Sequence, residues 1–229
     1  MQTPPERSAD ILVVAPHAPD LAGMRAYLGE RLEGHVRGLR IRAKVVGVGM
    51  TVAGSSTARG ILAVQPRAVV MVGACGVYPN LSQYRPHDVV VATRVQVVDH
   101  AVLLGRSAFP EPMQTSMETH PVLAAGLAAG RPRTYAAAVA STLAVTIDDQ
   151  LAAAVYPATG CEAENGEAFA VAAACRASDV PFAAVLGVTN IVGSTGRQDW
   201  AQFQREAVTQ AANALATWVH NGAQGLPHG

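Results

Sequence analysis

The amino-acid sequence predicts an α/β protein built on a largely parallel sheet with helices on both faces. Two observations carry that reading. Strand-length apolar runs alternate with helix-length segments along the chain, the pattern of a layered α/β fold. The strand runs are apolar almost without interruption, so both of their faces must be covered, as in parallel sheets. No linker divides the 229 residues. The simplest organisation is one domain over 1–229, with 1–9 and 221–229 as fraying termini.

DILVVAP (10–16) is the first strand, followed by a helical segment near 21–34. LRIRAKVVGVGM (39–50) is the second, with its helix at 51–64; RAVVMVGACGV (67–77) and DVVVATRVQVV (88–98) are the third and fourth. Residues 105–119, GRSAFPEPMQTSMET, are polar and proline-bearing and read as an exposed loop, a candidate lid. A helix near 120–129 precedes TYAAAVAST (134–142), a helix near 147–156, a presumed strand holding Glu162 and Glu164, a helix at 167–178 and the strand VPFAAVLGVTNIVG (180–193). The last helix, 199–220, spaces Trp200, Phe203, Ala207, Ala211, Leu215 and Val219 onto one face, a core-packing stripe.

Apolar residues make up 50% of the chain, enough for a sizeable core. Lys plus Arg and Asp plus Glu both total 17, and the basic residues are scattered. No footprint for nucleic acid or an anionic membrane results, and the expected partner is a small molecule. The longest apolar runs, such as AVVMVGACGV, fall well short of the roughly 20 residues of a membrane helix. The N-terminus MQTPPERSAD lacks an apolar signal region, and Cys75, Cys161 and Cys175 have no metal-ligand spacing. A cytoplasmic protein with neither metal nor cofactor is the expectation.

In open α/β sheets ligands sit beyond the carboxyl ends of the strands, and four such ends stand out. APHAPDL places His17 and Asp20 in a turn entering a helix, where Asp20 is either a plain cap or a catalyst. GVGMTVAGSSTARG brings Gly-rich backbone to a helix start, without the GK[ST] of a P-loop or a dinucleotide fingerprint. VGACGVYPN, through Gly73 and Gly76, allows close backbone approach or simply a tight turn. VTNIVGSTGRQDW ends a strand on Asn190, whose amide suits a heterocycle edge or caps the turn. The densest cluster is Glu162-Ala-Glu164-Asn-Gly-Glu167, ahead of AFAVAAAC. Capping by Asn165 puts Glu167 in the first helical turn, where the dipole favours an anion by a few tenths to about 1 kcal/mol. That accounts for one carboxylate, not for three.

Taken in order, GVGMTVAGSSTARGILAVQPRAVVMVGACGVYP, DVVVA and AENGEAFAVAAACRASDVPFAAVLGVTN resemble the nucleoside phosphorylase and nucleosidase superfamily, over roughly residues 10–218. Within it the likeness is closer to the futalosine hydrolases, then to the methylthioadenosine/S-adenosylhomocysteine nucleosidases. The resemblance implies a three-layer α/β/α sandwich around a central twisted mixed sheet, a homo-oligomer and a purine nucleoside ligand. ENGEAFAVAAA is similar to the family's ENMEGAAFA, which puts Glu167 at the ribose-binding glutamate with Asn165 and Gly166 beside the sugar. TNIVGSTGRQDW is similar to SNxVGxRxxxW, with Asn190 where adenine-specific relatives carry Asp. VASTLAVT (139–146) is similar to the strand beside the base, so Thr142 and Leu143 would line that pocket, with Gly73 and Ala74 at the third strand. Asp20 falls where nucleosidases carry the glutamate that orients the attacking water.

Phosphorylases of this fold hold phosphate through arginines and a serine, one pair within RVGSCG. Here MVGACG has Met71 and Ala74 instead, and APHAPDL has no clear counterpart to the first-strand glycine and arginine, although Arg25 is near. A desolvated dianion needs paired charge or several amides, so water is the expected nucleophile. The implied activity is a purine nucleosidase of the futalosine-hydrolase type, serving menaquinone biosynthesis. Glu167 would fix the ribose hydroxyls, Asp20 would deprotonate water, and Asn190 would bond N7 and O6 of a departing hypoxanthine as the sugar gains oxocarbenium character. Three departures stand against the pattern: Gly166 replaces a methionine, Leu186-Gly187 replaces Arg-Ala, and Asp20 is one methylene shorter than glutamate. They leave a purine nucleoside phosphorylase and a nucleoside-binding protein without catalysis as alternatives.

Overall fold

The computed structural model describes residues 8–228. Strand β1 (Ile11–Ala15) pairs in parallel with β3 (Leu39–Val45) on one side and β4 (Ala68–Val77) on the other. The edge strand β2 (Glu33–Val36) runs antiparallel to β3. Beyond β4 the sheet closes into a ring. There β4 pairs in parallel with β9 (Phe182–Ile191), β9 runs antiparallel to β5 (Val89–Val97), and β5 is parallel to β7 (Thr134–Ser141). The ring is completed by β8 (Ala163–Glu164), parallel to β7 and antiparallel to the end of β4. A register shift at Cys75/Gly76 lies where β4 leaves β9 for β8, and bulges of this kind bend a strand. Among the described residues the nine-stranded sheet is therefore mixed, as the resemblance implies, with most of its register parallel.

Alternation along β1 explains the layers. Leu12 and Val14 join one core, under α2 (Met50–Val64) and α6 (Ala168–Arg176); Ile11 and Val13 join the other, under α1 (Ala22–Leu28), α4 (Pro121–Ala128) and α7 (Gly196–His220). Period-two side chains on a strand covered on both faces give this division. Leu215, Trp218 and Val219 of α7 are at most 1% exposed, and burying a large apolar side chain contributes roughly 1.5–3 kcal/mol. A smaller cluster around Tyr78 and Val192 is closed by α5 (Asp149–Thr159), with Leu103 of the short α3 (His100–Leu103) against it.

Some expectations need correction. The helix near 21–34 ends at Leu28, because Gly29 turns the chain at φ +70° into β2, whose alternating exposure left no apolar run to read. Within 105–119, β6 (Ser116–Glu118) pairs antiparallel with β5. The described parts of both termini are packed. The Ser8 amide donates to the Val64 carbonyl (3.0 Å), Ala9 and Ala223 are buried, Trp218 Nε1 donates to the Gln224 carbonyl (2.9 Å) and Arg67 Nε to that of Pro227 (2.7 Å). Side-chain donors from the body of the protein hold a segment whose composition suggested fraying. Residues 1–7 and 229, the rest of those termini, lie outside the described residues. Among the described residues no helix is long and apolar enough to cross a membrane.

Candidate active site

A cleft of about 650 Å³ opens where β1, β3, β4, β7 and β9 end, and where β8 turns into α6. Asp20 enters it from the tight turn Ala18–Leu21, which Pro19 helps to start. The carboxylate is 4% exposed; Oδ2 accepts from the His17 amide (3.2 Å) and Oδ1 from Gln204 Nε2 of α7 (3.1 Å). One oxygen thus braces its own turn, where Asp20 is the third residue and His17 the cap, while the side chain lines the cleft. Burial pushes its carboxyl above the ordinary range, outweighing the Gln204 and His17 contacts that oppose the rise.

Glu167 stands at the start of α6, 8% exposed, and its Oε1 accepts from the Gly49 amide at 2.9 Å. Gly49 has φ +91°, a conformation natural to glycine, and the Gly-rich loop thus serves a protein carboxylate. Burial raises the Glu167 carboxyl, the Gly49 amide opposes this, and the charge of Asp20 adds to the rise. Asn165 caps the helix: its Oδ1 accepts from the amides of Glu167 (3.0 Å) and Ala168 (2.9 Å), and its Nδ2 donates to the Ala74 carbonyl (2.9 Å). The oxygen and one N–H of this amide are committed to protein partners, so Asn165 braces the wall of the cleft that it lines.

Glu164 also lines the cleft but is saturated. Its Oε1 accepts from the Thr146 amide (3.0 Å); its Oε2 accepts from the Thr146 hydroxyl (2.5 Å) and from Tyr78 Oη (2.8 Å). With the Thr146 proton committed, His100 Nε2, 2.9 Å from Thr146 Oγ1, must be the donor in that contact. Burial and the Glu164 charge raise the Tyr78 phenol far above its ordinary value, keeping it a donor. Glu162 is outside the cleft lining and accepts from Tyr84 Oη (2.8 Å) and Gln83 Nε2 (3.1 Å).

Asn190 ends β9 with its amide oriented by protein partners. Oδ1 accepts from Thr189 Oγ1 (2.6 Å), and Nδ2 donates to the Ile191 carbonyl (2.9 Å), a contact that only the N–H end can make. Gly76 and Gly196 flank it closely, since a Cβ added at either would lie 2.9 or 2.8 Å from Nδ2.

Ala74, Thr142 and Gly166 line the same cleft; Leu143 does too, but at its mouth and 85% exposed. Gly73 is not among the lining residues and packs beneath Asp20. Sequence reasoning missed Gln204 and assigned Trp200 to the core, whereas Trp200 is 40% exposed and lines the cleft. The apolar stripe of α7 extends past the layer it covers, and helical periodicity cannot report where that layer stops. No residue of 105–119 lines the cleft, so the lid expectation is not met there. Among the described residues no group of three or more His, Cys, Asp or Glu is placed to hold a metal ion.

A concave site at strand ends, with carboxylates and an oriented amide converging on it, is the arrangement in which α/β proteins hold small molecules. The chain belongs to the phosphorylase superfamily, whose family model matches residues 6–220. Similar solved structures include a methylthioadenosine/S-adenosylhomocysteine nucleosidase from Helicobacter pylori, with a TM-score of 0.83, 15% identity and coverage of 94% of this chain and 100% of that one. The corresponding nucleosidase from Neisseria meningitidis, in complex with methylthio-immucillin-A, gives 0.81 and 17%, covering 92% and 98%. Futalosine hydrolase of Helicobacter pylori gives 0.81 and 16%, covering 93% and 98%. No curated protein matched the sequence.

Proposed function

We propose that this protein is a purine nucleosidase that hydrolyses the N-glycosidic bond of a 6-oxopurine nucleoside, as futalosine hydrolase does, and releases hypoxanthine. The observation that carries the reading is the pair Asp20 and Glu167, two buried carboxylates in one cleft, close enough for the charge of one to raise the other. Breaking a glycosidic bond develops positive charge on the sugar ring, and carboxylates beside that ring stabilise it most in the transition state. Glu167 accepts from ribose hydroxyls with the oxygen that Gly49 leaves open. Asp20, made more basic by burial, holds water and takes its proton.

Asn190 supports the choice of base. Its Nδ2 has one N–H beyond the bond to Ile191, and a donor there suits the N7 and O6 acceptors of a 6-oxopurine. Water is favoured over phosphate because the basic side chains lining the cleft, among the described residues, are His17 and Arg197. Met71 is wholly buried in the core and Arg25 pairs with Glu30 at 2.5 Å. Menaquinone biosynthesis, a cytoplasmic setting and a homo-oligomer are the context that goes with this activity.

The test is chromatographic release of free base from futalosine, inosine, adenosine and methylthioadenosine, with and without phosphate, beside Glu167→Gln. Phosphate-independent release of hypoxanthine, lost in the variant, supports the proposal. Release only with phosphate makes the protein a phosphorylase, and no release from any of these substrates rejects the activity.

A further inference from the structure

We propose that Gln204 is the positioning residue that orients Asp20 toward the cleft. The role assigned to Asp20 rests on the nucleosidase reading; the geometry does not. Gln204 Nε2 reaches Asp20 Oδ1 at 3.1 Å from a helix 184 positions further along the chain, while the His17 amide holds Oδ2 at 3.2 Å. One donor on each oxygen, from two different elements, fixes the carboxylate plane. The turn alone would leave the group free to rotate about its last bond.

Among the described residues, the hydrogen bonds to the Asp20 carboxylate come from Gln204 and from the His17 amide. Beneath it lie Gly73, Pro16 and Leu186: a Cβ added at Gly73 would stand 3.9 Å from Asp20 Oδ2, 3.5 Å from Pro16 Cδ and 3.6 Å from Leu186 Cδ2. Leu186 is fully buried. The charged or titratable groups nearby are His17 of the same turn, Glu167 across the cleft and Arg197 at the start of α7. Arg25 of α1 is engaged with Glu30.

What delivers Gln204 is the absence of a side chain at 187. A Cβ there would fall 2.0 Å from the Ala207 carbonyl oxygen, so α7 lies on β9 at a distance that only glycine permits. Gln204 stands one turn before Ala207 on that helix. A neutral amide in this place directs Asp20 without the strong stabilisation of its charged form that a cation would bring. Burial then keeps the carboxyl raised, against the smaller opposing effects of Gln204 and His17.

The experiment follows the Asp20 carboxyl by ¹³C NMR titration, assigned with Asp20→Asn, in the wild type, Gln204→Leu and Gln204→Lys, with kcat and KM for base release measured alongside. Losing the donor raises the Asp20 midpoint in Gln204→Leu, and the added charge lowers it in Gln204→Lys. In Gln204→Leu kcat falls about 10- to 100-fold, as for a catalytic group displaced by about 1 Å, while KM moves little. An Asp20 midpoint unchanged in Gln204→Leu overturns the proposal, as does a loss of turnover that lies wholly in KM. If the midpoints move as stated while the wild type releases no base, the orientation stands and the nucleosidase reading falls.

Discussion

Glu164 and Glu167 lie three positions apart in the chain and border one cleft, yet they are held in opposite ways. Glu164 accepts from three donors, two from Thr146 and one from Tyr78. Glu167 receives one backbone amide, and burial together with the neighbouring charge of Asp20 disfavours its ionised form. A saturated carboxylate is a strut: it anchors the 142–147 segment, whose Leu143, Val145 and Ile147 form an exposed apolar rim to the cleft. A buried carboxylate with open lone pairs beside a second one is strained electrostatically, and such perturbed groups gather at functional sites. Counting donors therefore separates support from chemistry better than residue type does.

The largest expected effect falls on the unsaturated pair. Asp20→Asn should lower base release by about 10²–10⁴-fold, the usual contribution of general base catalysis, while leaving the fold intact; initial rates beside a circular dichroism melt would show both. Glu164→Ala should do the reverse. It strands the Tyr78 hydroxyl and the Thr146 amide, each buried unpaired group costing about 1–3 kcal/mol, and urea unfolding should report the loss. If Glu164→Ala stayed as stable as the wild type, the strut would be no strut.

Gly187→Ala comes next. The added methyl meets the α7 backbone, overpacking that typically costs about 1–3 kcal/mol, and the displaced helix should carry Gln204 off Asp20, so stability and kcat fall together. On the proposed reading, Asn190→Asp replaces the donor offered to the base with an acceptor. The ratio of hypoxanthine to adenine release should move toward adenine by about tenfold, the equivalent of one hydrogen bond of about 1.4 kcal/mol; competition between inosine and adenosine measures it.

The smallest effect is on stability against pH. Asp20 and Glu167 both bind their protons more tightly folded than unfolded. Their contribution is thus fully present below the ordinary carboxylate range and is lost as pH rises through the raised folded values. Asp20→Asn should accordingly gain in melting temperature over the wild type as pH passes from acid toward neutrality, and show no gain at the acid end. An unchanged difference across that range would count against the raised carboxyl.

Much of this protein can be read without coordinates. Continuous apolar runs such as AVVMVG must be covered on both faces, so the layered α/β class follows from composition and period alone. The carboxyl ends of those runs marked Asp20 and Asn190 as residues to watch, because ligands gather at strand ends, and the acidic cluster ahead of AFAVAAAC marked Glu167. Only the tertiary structure decided what each group touches. It closed five strands into a ring, a matter of long-range pairing that local pattern does not encode. It set Asn165 to capping, Glu164 to bracing and the Gly49 amide to Glu167. It brought Gln204 across 184 positions onto Asp20, because a missing Cβ at Gly187 lets one helix settle on one strand. Periodicity is a property of neighbours along the chain, whereas hydrogen-bond satisfaction and burial depend on neighbours in space.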